Sequence, residues 1–200
     1  STQGYSSAAS DVYKRQGVYG KETEFTGKEF SSKMYADAAI RFLQRRKDEK
    51  QPFLAYVAFT SPHDPRNQLP AYGQKYAPDT LNLPANFLPR HPFDNGEMNV
   101  RDELLVPVPR TGGQIQKELS DYYGMISEVD VQIGRIMEVL RATGQAENTI
   151  VVFASDNGLA VGRHGLLGKQ NLYDHSVKVP LTIIAPSYKN RKGEKNQSLC

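Results

Sequence analysis

Residues 151–169 read VVFASDNGLAVGRHGLLGK: an apolar run ends in Asp156-Asn157-Gly158, and one glycine-rich loop then carries His164 and Lys169. Asp156 offers a carboxylate and Asn157 a neutral carbonyl, both hard oxygen donors of the kind taken by Ca2+ or Mg2+. An imidazole and an ammonium following so closely can face an anion held by that cation. Asp-Asn-Gly is equally good turn chemistry after any strand, so the spacing alone leaves a metal site and a plain turn both open. A second polar cluster, Thr60-Ser61-Pro62-His63-Asp64-Pro65, sets His63 among prolines that stiffen its backbone. Taken singly, His63 also fits a surface or capping role. His91 and His175 are assigned to structure by default.

Both clusters follow strand-like runs. Residues 150–154 are continuously apolar, the pattern of a strand buried on both faces. Residues 53–60 (FLAYVAFT) are rich in aromatic and β-branched types. In open α/β sheets, ligands gather at the carboxyl ends of strands, where both clusters would sit. An amphipathic helix is predicted over 30–47. A longer one is predicted over 115–143, where Ile115, Leu119, Tyr122, Ile126, Val129, Ile133, Ile136 and Leu140 alternate spacings of four and three before Gly144. That stripe is assigned to the core. Residues 61–114 hold most of the prolines and form a long excursion, which in a compact domain is usually functional or a lid. A last strand covers 180–185. This order predicts an α/β fold, with a mixed, mostly parallel sheet flanked by helices.

Composition excludes several functions. The 200 residues suffice for one sizeable domain, with 38% apolar content. Twenty-five basic and 22 acidic residues give a net charge of +3, too balanced to argue for nucleic acid. No run approaches the length of a membrane span. The single cysteine, Cys200, allows no internal disulfide and no thiolate cluster.

Four segments carry a resemblance: PFLAYVAFTSPHDP, DYYGMISEVDVQIGRIMEVL, NTIVVFASDNG and HGLLGKQNLYDHSVKVPLTIIAP. In this order and spacing, over about residues 17–187, they resemble the formylglycine-dependent sulfatases of the alkaline phosphatase superfamily. The FDNGEMNVRDEL stretch of the excursion resembles the bacterial members. The resemblance implies that Asp156 and Asn157 are two ligands of one Ca2+ (or Mg2+) ion. It also implies that His63 contacts the sulfate or leaving group and that Lys169 binds a sulfate oxygen, with His164 lining the site. The implied substrate is a sulfate ester, of an aryl compound or a sulfated polysaccharide, and the implied location is periplasmic or secreted.

The family's nucleophile is a formylglycine made from the Cys or Ser of a C/S-x-P-S/A-R motif. Neither that motif nor the family's early Asp-Asp metal pair occurs in this chain. The expectation is therefore a partial catalytic domain over 17–188, inactive alone, with the nucleophile and remaining ligands upstream. Residues 6–16 (SSAASDVYKRQ) lack periodicity and resemble translated adapter read-through, so 1–16 are set apart as non-native or disordered. Residues 189–200 are expected to be a truncated polar connection, and Asn196-Gln197-Ser198 within them matches a glycosylation sequon. Two rival readings are a phosphonate or phosphodiester hydrolase, in which His typically replaces Asn157, and a non-catalytic relative that binds sulfated glycans.

Overall fold

Small residues on one side of the first helix decide how it packs. α1, Ser31–Arg45, buries Ser32, Ala36, Ala38 and Leu43, which lets it lie close against a longer helix. The Arg135 guanidinium crosses between them to Asp37 at 2.7 Å. The Gln145 amide donates to the Leu43 carbonyl at 3.0 Å, near the end of α1 where carbonyls lack helical partners. The structure, a computed structural model, describes residues 30–191. The expectations for residues 1–16, Asn196 and Cys200 lie outside them.

α2 is a single short helix, Pro70–Lys75, inside the proline-rich excursion. α3 runs Gly112–Ala142 and starts three residues before the predicted Ile115. A capping box sets that start: the Thr111 hydroxyl accepts from the Gln114 amide, and Gln114 Oε1 accepts from the Thr111 amide at 2.8 Å. A cap of this kind is worth about 1 kcal/mol. The helix ends before Gly144, as predicted.

The excursion wraps one side of α3 through polar side chains. Arg66 donates to Glu118 at 2.5 Å, Gln68 to Ser120 at 3.0 Å and Tyr72 to Glu128 at 3.2 Å. Ser120, Asp121, Glu128 and Gln132 are consequently buried, while Ile126 is exposed. Ile133 and Ile136 line an open cleft beside it. The apolar stripe is therefore only partly core. Of its buried members Ile115, Leu119, Val129 and Leu140, the first two join Val106, Leu159, Val161 and Leu167 in one cluster.

β1, Val151–Ala154, pairs antiparallel with β2, Leu181–Ile184, in the register Val151↔Ile184 to Ala154↔Leu181. Between them lies α4, one helical turn at Asp174–Val177. That connection has no helix long enough for a parallel crossover, and the chain returns antiparallel. The α/β fold is as expected, but this pair is the only sheet among the described residues. This chain's own residues do not supply the expected burial on both faces: Val152, Phe153, Leu181 and Ile183 are exposed within it. Such burial needs a covering layer on each side, and a short strand pair supplies none by itself. Residues 53–60 form no helix and have no ladder partner among the described residues, with Phe53 edge-on to Phe42 and Phe59 to Tyr35. No described helix is long and apolar enough to cross a membrane.

Candidate active site

The two polar clusters open onto the same cleft. His63, Asp156, Asn157, His164 and Lys169 all line it, together with Arg101, Arg163 and His175. The sequence separates these groups by up to about a hundred residues, and all five predicted side chains border the same wide, open groove.

At the first cluster the His63 amide donates to the Thr60 carbonyl at 2.9 Å, closing a tight turn straight after the 53–60 run. His63 Nδ1 donates to the Asp64 carbonyl at 2.8 Å and lies 3.4 Å from Asp64 Oδ1. This places the ring proton on Nδ1 and fixes the ring against its own turn. The Asp64 carboxylate is buried and takes a charge-assisted bond from Arg101 at 2.8 Å.

At the second cluster the Asn157 amide donates to Asp156 Oδ1 at 2.9 Å, and Asn157 Nδ2 donates to the Gly158 carbonyl at 2.9 Å. The turn is pinned from below by α4, where the Ser176 carbonyl accepts from the Gly158 amide at 2.9 Å. A Cβ on residue 158 would stand 1.9 Å from the His175 carbonyl oxygen, so glycine is required by close approach. Asp156 is exposed to the cleft and Asn157 half-buried.

The glycine-rich loop is not surface decoration. Leu159, Val161, Leu166 and Leu167 are buried, and the loop folds back on itself through Ala160 N to Gly168 O at 2.9 Å and Gly162 N to Leu166 O at 2.8 Å. Val161 and His164 hold positive φ of 42° and 54°. Such conformations cost about 1–3 kcal/mol each and persist where the surroundings enforce them. Here the Val161 amide donates to the Leu167 carbonyl and the His164 amide to the Asn86 carbonyl, and Glu103 holds the returning limb of the loop. Its carboxylate accepts from the Leu167 amide at 2.9 Å and the Gly168 amide at 2.7 Å, while Arg110 donates to it at 2.7 Å.

His164 is fixed on every side. The Asn86 amide donates to its Nε2 at 2.9 Å, its carbonyl accepts from His91 Nδ1 at 2.6 Å, and Tyr173 stacks on its ring at 4.2 Å. His175 lies 5.9 Å away, ring to ring. Burial, then the electrostatic influence of neighbouring His164 and Arg163 against the opposing pull of Asp174, lowers the His175 pKa to about 4. His175 is thus neutral at ordinary pH. The Lys169 amide donates to Gln170 Oε1 at 3.0 Å, and Gln170 Nε2 donates to Asp102 at 2.9 Å.

Asp156 and Asn157 suit a hard divalent cation in donor type, as part of a shell. Among the described residues no three His, Cys, Asp or Glu side chains come together as a metal cage. Sequence reasoning missed Glu103, Arg110, Arg101 and Asn86. The resemblance of the FDNGEMNVRDEL stretch was a signal for Arg101 and Glu103, but it carried no role for either.

The family model described as Sulfatase matches residues 2–199, nearly the whole chain. The chain belongs to the sulfatase family. Among curated sulfatases it is 30% identical to an ulvan-active sulfatase of Formosa agariphila, covering 86% of this chain and 30% of that protein. Among solved structures, the sulfatase-type protein yidJ of Bacteroides fragilis superposes with a TM-score of 0.65 at 27% identity, over 83% of this chain and 33% of that one. The phosphonate monoester hydrolase of Agrobacterium radiobacter superposes with a TM-score of 0.62, also at 27% identity, over 79% and 34%. The sulfatase chain described here thus spans about a third of the length of these relatives.

Proposed function

We propose that this chain forms the sulfate-binding and leaving-group side of a sulfatase active site, within a longer protein that hydrolyses sulfate esters. The observation that carries the reading is one cleft lined by His63, Asp156, Asn157, His164 and Lys169 in a chain of this family. Sulfate ester hydrolysis develops negative charge on the sulfuryl oxygens and on the departing oxygen, so fixed cations and a proton donor are the main requirement.

Lys169 supplies a compact point charge for a sulfuryl oxygen. His63 would donate a proton to the leaving oxygen from Nε2 of its doubly protonated ring, which keeps its Nδ1–H on the Asp64 carbonyl and is left as the neutral imidazole. His164 lines the pocket beside them, its ring held by Asn86 and Tyr173. Asp156 and Asn157 would contribute oxygens to one Ca2+ (or Mg2+) ion. When bound, that ion polarises the sulfate group as a Lewis acid. The attacking group in this reading is a formylglycine on a part of the protein outside this chain.

A sulfated glycan is the preferred substrate class, supported by the ulvan-active relative. An exported location belongs to the same proposal and rests on the family resemblance. Cell fractionation checks it: the protein is expected outside the cytoplasm, and a cytoplasmic protein would contradict it.

One solved neighbour favours a second reading, phosphonate monoester hydrolysis. Competing profiles on the full-length protein decide between them. The proposal expects kcat/KM for an aryl sulfate to exceed that for a phenylphosphonate monoester. The reverse order would move the reading to the phosphonate class, and turnover of neither ester nor of a sulfated glycan would favour a sulfated-glycan-binding relative.

A further inference from the structure

Arg101 is bonded directly to the first cluster and linked to the second through Asp102 and Gln170. Its Nη2 donates to Asp64 Oδ2 and to Asp102 Oδ1, each at 2.8 Å, and its Nε donates to Asp102 Oδ1 at 3.1 Å. Asp64 is the residue whose carbonyl takes the His63 Nδ1 proton. Asp102 Oδ2 accepts from Gln170 Nε2 at 2.9 Å, and Gln170 Oε1 in turn accepts from the Lys169 amide. One guanidinium therefore connects the residue after His63 to the residue after Lys169.

The charges along this path compensate. Burial works to raise the Asp102 pKa, but hydrogen bonds from Gln170 and Arg101, with the positive charges of Arg101 and Lys169, outweigh it and hold the carboxyl low. The Asp64 and Asp102 side chains are 1% and 4% exposed, against 60% for Arg101, which lines the cleft beside His63 and Lys169. A planar guanidinium with several donors can hold two carboxylates at a set angle, and a flexible ammonium cannot.

We propose that Arg101 is a positioning residue that sets the spacing of His63 and Lys169 across the cleft. This rests on the reading that those two side chains act on the sulfate ester. A misplacement of about 1 Å at such a site costs about 100-fold in rate.

The test uses the full-length protein with an aryl sulfate, comparing Arg101→Met, Arg101→Lys, His63→Ala and the Arg101→Met/His63→Ala double variant. Arg101→Met is expected to lower kcat by about 10- to 100-fold. KM should move by less than about threefold, because ground-state binding is kept. Arg101→Lys should recover part of the loss. The double variant should lose clearly less than the product of the two single losses, since part of the Arg101 effect runs through His63. A large rise in KM with kcat kept would make Arg101 a substrate contact and overturn the proposal. Losses that multiply in the double variant, or kcat within twofold of wild type in Arg101→Met, would also overturn it. No turnover by the wild type would remove the functional reading and this inference together.

Discussion

Arg110 donates to the Glu103 carboxylate at 2.7 Å, with neither side chain more than 4% exposed. The same carboxylate receives the Leu167 and Gly168 amides, so one buried acid holds the loop that delivers Lys169. Removing one partner of a buried pair leaves an uncompensated charge, at a cost of about 3–5 kcal/mol. Glu103→Ala should therefore lose about that much stability in denaturant unfolding, and Glu103→Gln, which keeps the shape and the amide contacts, less. A loss under about 1 kcal/mol in Glu103→Ala would contradict this role.

Gly158 should tolerate no side chain. Its Cβ would collide with the His175 carbonyl and push the Asp156-Asn157 turn away from α4. Gly158→Ala is expected to cost about 1–3 kcal/mol and to lower turnover beyond what the lost stability explains. Gly134, in the middle of α3 with no atom within 4 Å of where a Cβ would stand, is the control. Gly134→Ala should stabilise by up to about 1 kcal/mol. Equal unfolding midpoints for the two variants would contradict the collision.

The contrast between these positions shows what the sequence made legible. α3 was readable because its apolar residues repeat with the helical period, and Thr111-Gly112-Gly113-Gln114 even carries the capping signal that places its true start. β1 and β2 were readable as apolar runs between turns. Their exposure was not, because burial depends on the layers packed over a strand and not on the strand's own residues. The five predicted site residues were readable as polar groups following strand-like runs. Glu103 and Arg101 were not, because both sit in the irregular excursion, which has no periodicity to extrapolate, and their partners at 64, 167 and 168 are tens of residues away.

His175 predicts a pH dependence of stability. Its folded pKa of about 4 lies below the ordinary 6.5, so between these values the unfolded chain binds the proton more readily. The contribution of His175 is therefore complete above about pH 6.5 and is lost as pH falls toward 4. His175→Gln should lose less stability than wild type between pH 7 and pH 4.5 in matched denaturant titrations. Parallel losses in the two proteins would show that the half-buried ring does not carry this effect.

The central claim concerns Lys169 acting on a sulfuryl oxygen in the cleft it shares with His63. The most direct measurement is kcat/KM of the full-length protein on an aryl sulfate, wild type against Lys169→Ala. The account predicts measurable wild-type turnover and a loss of about 100- to 1,000-fold in the variant, the range for removing one fixed group that stabilises developing negative charge. Wild-type protein without sulfatase activity, or a Lys169→Ala variant within twofold of it, would contradict the account.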